Sequence, residues 1–222
     1  MDGNMEMRES NTVKVFGLMW LMACSLLFTA CSQEHQQVPF YFTPDLSPTW
    51  TEPERSKTIH VIAPFEFTNQ DGQPYGSNQL KGKVYVANFF FTSCPSICPR
   101  MTKNLTAVAN AFSSDDTVNL ISLSVTPDID SVSRLKQFHE EYNLTSNWYL
   151  LTGNQKDIYQ ISRNSFFVEE EIGLSRDSSD FLHTERCMLV DYAGRLRGFY
   201  NATLALDMER LIDDIEIVRK EM

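Results

Sequence analysis

From residue 59 onward, apolar positions fall into short runs and stripes whose period switches back and forth between strand and helix. Residues 59–68, followed by Asn69-Gln70-Asp71-Gly72-Gln73, have the pattern of an opening β-hairpin. Val84-Tyr85-Val86-Ala87-Asn88-Phe89-Phe90-Phe91 is nearly unbroken and apolar, as in a strand covered on both faces. Residues 100–112 return to helical spacing, and 118–125 to a strand. Asp130 is placed to cap a helix over 131–142. A short strand over 148–151 follows, then a helix over 155–167 begun after Gly153-Asn154. Residues 186–191 and 195–200 flank Tyr192-Ala193-Gly194 and predict an antiparallel hairpin. The chain closes in an amphipathic helix over 204–221, with Leu206, Met208, Leu211, Ile212, Ile215 and Val218 turned inward.

A βαβ half followed by a ββα half is the thioredoxin-like arrangement. The expected fold class is therefore α/β: a central mixed β-sheet flanked by helices, with an N-terminal hairpin and an extended arm. At 222 residues, 42% of them hydrophobic, the chain suits one compact domain, assigned to 58–222, and a short extra segment. Residues 38–57 carry Pro39, Pro44, Pro48 and Pro53 among Phe40, Tyr41, Phe42 and Trp50. Proline at that density excludes a helix, so this stretch reads as the arm, its aromatics packed on the domain.

The N-terminus reads as an export signal. Residues 15–30 are an apolar run preceded by Arg8 and Lys14, short for a spanning helix and ending in small residues. Phe28-Thr29-Ala30-Cys31 resembles a bacterial lipobox, which makes residues 1–30 a lipoprotein signal peptide and Cys31 the lipid-modified residue. Residues 31–57 then form the tether and arm. The alternative is an uncleaved membrane anchor. Both place the domain in the cell envelope, on the periplasmic side, held to a membrane. Nineteen Lys and Arg against 29 Asp and Glu give a net charge of −10, and no basic cluster is visible. Nucleic acid is excluded as a partner.

Cys94 and Cys98 carry the chemistry, in Phe-Phe-Phe-Thr-Ser-Cys-Pro-Ser-Ile-Cys-Pro, where the apolar strand gives way to a helix. Pro99 lacks an N–H and belongs at the first helical position, which makes Cys98 the expected N-cap and residues 94–97 an exposed loop. Sulfurs at the positive end of a helix are biased toward thiolate. Thiolates are soft ligands for Cu(I), and an added imidazole also suits Cu(II). Three intervening residues let both sulfurs face one outside atom without excluding a Cys94–Cys98 disulfide. Thioredoxin-like oxidoreductases place a proline loop against the thiol pair ahead of the late strand. Residues 175–187 contain no proline and offer His183 instead. Cys187 reads as a small core residue, Asp128 as a solvated turn carboxylate, and Met101 as helix packing. His35, His60 and His139 have no cysteine neighbours and receive no role.

The stretch from Gly82 to Pro99 resembles the signature of the Sco/SenC copper proteins. Leu123-Ser124-Val125-Thr126-Pro127-Asp128-Ile129-Asp130-Ser131 is similar to that family's Ser-Val-Asp-Pro segment, and His183, eight residues before Asp191, matches its histidine. Tyr41-Phe42-Thr43-Pro44-Asp45 and Trp50 resemble its N-terminal arm. Thr126 departs from the usual aspartate, and Tyr192 from the usual proline. The resemblance implies a thioredoxin-like fold that binds one copper through Cys94, Cys98 and His183. It also implies a metallochaperone role, with copper passed to the dinuclear copper centre of a respiratory oxidase subunit. A thiol–disulfide oxidoreductase that reduces the cysteines of the copper-receiving protein, with Cys94 attacking and Cys98 resolving, is the alternative.

Overall fold

A computed structural model describes residues 37–51, 59–168 and 184–222. The signal, lipid-site and tether assignments over 1–36 lie outside the described residues. Among the described residues, nine strands form one mixed sheet in the order β2-β1-β9-β8-β5-β6-β7-β3-β4. Its centre is β5 (Val84–Phe90), flanked by β6 (Val118–Ser124) in parallel and β8 (Arg186–Val190) antiparallel. Outward on one side lie β7 (Trp148–Thr152), β3 (Glu66–Asn69) and β4 (Pro74–Gly76). On the other lie β9 (Leu196–Asn201), β1 (Phe40–Tyr41) and β2 (Pro48–Thr49).

Every residue of β5 and β6 is buried, which explains the unbroken apolar runs: helices cover both faces of this part of the sheet. Val84, Val86 and Phe90 face α2 (Ile97–Ala111), α3 (Val132–Glu141) and α5 (Ala205–Val218), through Met101, Leu105, Val108, Leu135, Phe138, Leu211 and Ile215. Tyr85, Ala87 and Phe89 face the opposite side, where α4 (Gln155–Asn164) supplies Ile158 and Ile161, joined by Leu80 of a short helix α1 (Ser77–Leu80). A 3₁₀ turn, Arg219–Glu221, ends the chain. The α/β fold with a hairpin ahead of a βαβ half and a ββα half is as the sequence predicts.

Several local expectations are corrected. The arm is not simply extended: Leu46 takes a positive φ of 52° and its N–H returns to Thr43 O, so the chain doubles back and β1 joins the sheet beside β9. Phe40 is buried, but Trp50 is 58% exposed rather than packed. Helix α4 ends at Asn164, because Phe166, Phe167 and Val168 turn into the core, Phe167 at a positive φ of 51°. The cap of α3 is Ser131, whose Oγ accepts from the Arg134 N–H at 3.3 Å, and not Asp130.

A buried charge cluster fixes the arm. Asp191 Oδ2 accepts from Arg195 Nε at 2.7 Å and from an Arg197 terminal nitrogen at 3.4 Å. Arg197 also donates to Glu221 Oε1 at 2.9 Å, Val38 O at 2.7 Å and Pro39 O at 3.1 Å. Both guanidinium carbons lie over the Phe40 ring, at 4.8 and 4.1 Å from its centroid. One side chain thus ties strand β9, the arm and the C-terminal turn together. Among the described residues, no helix is long and apolar enough to cross a membrane.

Candidate metal centre

The parallel register of β5 and β6 builds the site. Phe90 pairs with Ser124, and Val125 N–H donates to Phe90 O at 2.9 Å, so the loops that leave the two strands run side by side. The first loop carries Thr92 and Cys94 into α2. Cys94 N–H bonds back to Phe91 O at 3.3 Å, which turns the chain at once. Helix α2 begins earlier than Pro99 implies: Ser96 is its N-cap, and Cys98 and Pro99 both lie in the first turn. Proline there removes only an N–H that has no intrahelical partner. The thiol loop therefore shortens to Cys94-Pro95-Ser96, and Cys98 is a helical residue rather than the cap.

Both sulfurs are more enclosed than an exposed loop suggests, Cys94 being 6% and Cys98 4% exposed. Each sulfur lies close enough to act on the other's ionisation, and all three cysteines among the described residues are free. The two thiols are not equivalent. Burial pushes Cys94 up, but backbone N–H groups of Cys98, Ser96 and Ile97, together with the Cys98 thiol, outweigh it and hold Cys94 below the usual 9.0. Burial pushes Cys98 up to about 12, against a backbone hydrogen bond at Phe91, with the Cys94 sulfur and Asp130 adding in the same direction as burial. Unpaired N–H groups at the start of a helix select which thiol ionises.

The second loop, residues 125–131, holds the first. Asp130 is completely buried. Its carboxylate accepts from Thr92 N–H at 3.2 and 3.3 Å, Thr92 Oγ1 at 2.5 Å, Ser124 Oγ at 2.5 Å and Thr126 Oγ1 at 3.3 Å. Arg134 Nε donates to Thr92 Oγ1 at 3.1 Å. None of these contacts is legible from local pattern. Asp130 precedes a helix, which suggests a cap, and its partner Thr92 lies 38 residues away. Thr126, the departure from the family segment, serves here as a donor to Asp130. Asp128 is exposed, as expected.

Cys187 is completely buried on β8, opposite Asn88 of β5 and Tyr200 of β9, and burial raises its thiol. It faces the same core as Cys94 and Cys98, as the core reading expects. His183 lies outside the described residues. The chain resumes at Thr184, just ahead of β8, and the Asn88↔Cys187 register carries the start of β8 toward the edge where β5 ends. Among the described residues, no three His, Cys, Asp or Glu side chains cluster as metal ligands. The described centre therefore supplies two adjacent sulfurs, one readily ionised, held by a carboxylate that does not reach them. Such a pair suits a soft metal ion or a reversible disulfide.

The model of the SCO1/SenC family matches residues 53–219. A SCO1/SenC family lipoprotein from Bacillus anthracis str. Ames has a solved structure that is 33% identical, with a TM-score of 0.62, covering 75% of this chain and 99% of its own. BsSco, described as having a disulfide switch and as a member of the Sco family of cytochrome c oxidase assembly proteins, is 30% identical. Its TM-score is 0.62, and the match covers 77% of this chain and all of that one. ScoI of Bradyrhizobium japonicum, solved with copper bound, is 26% identical with a TM-score of 0.57, covering 71% of this chain and 99% of its own.

Proposed function

Because the chain belongs to the SCO1/SenC family, we propose that it is a membrane-tethered copper metallochaperone serving assembly of a respiratory oxidase. Copper is its cargo, held by Cys94, Cys98 and His183 and delivered to the oxidase's dinuclear copper centre. The observation that carries this reading is the pair of neighbouring free thiols where the loop after β5 enters α2, Cys94 just before the helix and Cys98 in its first turn, on the edge of the sheet where β8 begins. A relative solved with copper bound supports the choice of metal, and one named for cytochrome c oxidase assembly supports the recipient. Two thiolates match the softness of Cu(I), and His183 adds a nitrogen donor that also suits Cu(II). The chain's own contribution is to keep one thiol readily ionised, so that the ion can be received and released by exchange of ligands.

The tether is part of the same proposal. Residues 1–30 act as a lipoprotein signal peptide, Cys31 carries the lipid, residues 31–57 form the tether and arm, and 58–222 form the carrier domain. A solved relative described as a lipoprotein supports the lipid anchor; in this reading the domain lies in the cell envelope, on the periplasmic side.

The inequality of the two thiols favours a second reading. A dithiol with one readily ionised thiol and one retained proton is the form suited to thiol–disulfide exchange. Cys94 would attack a disulfide of the recipient and Cys98 would resolve it, and a relative with a disulfide switch supports the chemistry. His183→Ala separates the two readings. Copper affinity collapses while disulfide exchange survives if the histidine is a ligand; undiminished copper binding by that variant refutes the assignment.

A further inference from the structure

We propose that Arg134, Thr92 and Asp130 form a positioning relay that presets the spacing of Cys94 and Cys98. The inference rests on the thiol pair being the working site, but not on which metal it carries. The polarity of the chain is fixed by donor counting. Thr92 Oγ1 has one proton, and it accepts from Arg134 Nε at 3.1 Å, so its own proton is free to go to Asp130 Oδ1 at 2.5 Å. Asp130 is in turn held by Ser124 Oγ at 2.5 Å and Thr126 Oγ1 at 3.3 Å, on the neighbouring strand end and loop. Arg134 is itself anchored, since its N–H bonds to the Ser131 cap and its guanidinium to Glu141 at 3.4 Å. Two rigid elements, strand β6 and helix α3, thereby grip the residue two positions before Cys94.

A fully buried carboxylate is an expensive way to close a loop, because each such group must recover its lost hydration through hydrogen bonds. Apolar packing would close the same turn at lower cost. What a buried acceptor of four donors adds is direction: Thr92 can sit in one place only, and with it the backbone that leads to Cys94. No member of the relay hydrogen-bonds to either sulfur, so Thr92 and Arg134 are positioning residues; the Asp130 charge also bears on Cys98, which is why the Thr92 pair carries the test. Outer groups of this kind typically alter metal affinity by about 10–100-fold when removed.

The test uses the full chain in detergent with three substitutions: Thr92→Val, which keeps shape and backbone N–H but loses the hydroxyl; Thr92→Ser, which restores it; and Asp130→Asn. Two quantities are read on each: affinity for Cu(I) against a competing chelator, and the metal-free equilibrium with glutathione. In the second, the two thiols are oxidised to the Cys94–Cys98 disulfide while one oxidised glutathione is reduced to two glutathione molecules, so atoms and electrons balance. We expect Thr92→Val to weaken Cu(I) binding about 10–100-fold and to shift the disulfide equilibrium by about tenfold. Thr92→Ser should stay within about threefold of the parent in both. Asp130→Asn should fall with Thr92→Val. If Thr92→Val only lowers thermal stability and leaves both quantities at parent values, the relay is merely structural and the proposal fails. If the parent chain binds no copper, the carrier reading fails instead, and the glutathione equilibrium still decides the relay.

Discussion

Alkylation of the reduced, metal-free protein should label Cys94 far faster than Cys98. The two residues are almost equally enclosed, at 6% and 4% exposure, so ionisation is the larger difference between them. With its pKa pushed up to about 12, Cys98 is thiolate in about one molecule in 10⁴ at pH 8. Cys94, held below 9.0, is thiolate in about a tenth of molecules or more at the same pH. The population ratio is therefore about 10³ or more. Basic thiolates are the better nucleophiles, with a Brønsted slope of about 0.4–0.5, so a gap of about three pKa units returns a factor of about 15–30 to Cys98. Initial labelling at Cys94 should remain about 30-fold faster or more. Iodoacetamide quenched at short times, with peptide mass spectrometry to count each adduct, measures the ratio directly. Equal rates within a factor of about three, or a faster Cys98, would refute the claim that helix N–H groups select the ionised thiol.

Two further outcomes follow from the buried groups. The buried Cys98 and Cys187 thiols and the Tyr75, Tyr85 and Tyr200 phenols all have raised pKa values, with burial as the main cause. The unfolded chain releases these protons from about pH 9 for the thiols and 10 for the phenols, while the folded chain keeps them. Their contribution is thus complete below pH 9 and is lost as pH rises, at about 1.4 kcal/mol per pH unit for each group. Urea unfolding at pH 8, 9.5 and 10.5 should show the decline, and a flat profile contradicts it. Arg197→Met should destabilise by about 2–4 kcal/mol, because it removes one of the two arginines that face the buried Asp191 carboxylate and leaves the Val38 and Pro39 carbonyls without their donor. A loss under about 1 kcal/mol in the denaturation midpoint would mean that this cluster does not hold the arm.

The fold was legible because each central element carries its own period. The unbroken run of β5, the stripe of α5 from Met208 onward and the Tyr192-Ala193-Gly194 turn all have local causes and lie where the pattern places them; Leu206, expected inward, is instead 67% exposed, one turn too early to meet the core. Boundaries were less so. Pro99 marks the first turn of α2 but not its first residue, since any of the opening N–H groups is dispensable. The chain reversal at Leu46 had a cue in Pro44-Asp45, which suit the centre of the turn that Leu46 N–H closes onto Thr43 O, but the left-handed leucine itself is held by its surroundings and not by its own preference. Cys94 and Cys98 stood out through their residue type and flanking prolines. Asp130 did not, since its role comes from a strand register that joins it to Thr92 across 38 residues. The same holds for Arg197, whose partners are drawn from the arm, β8 and the last turn.

The most direct test of the proposed site is anaerobic Cu(I) titration of the soluble chain, followed by X-ray absorption at the copper edge. The account predicts one copper per chain with two sulfur neighbours and one nitrogen, and loss of the nitrogen in His183→Ala. A third sulfur supplied by Cys187, or an unchanged spectrum in that variant, would contradict it.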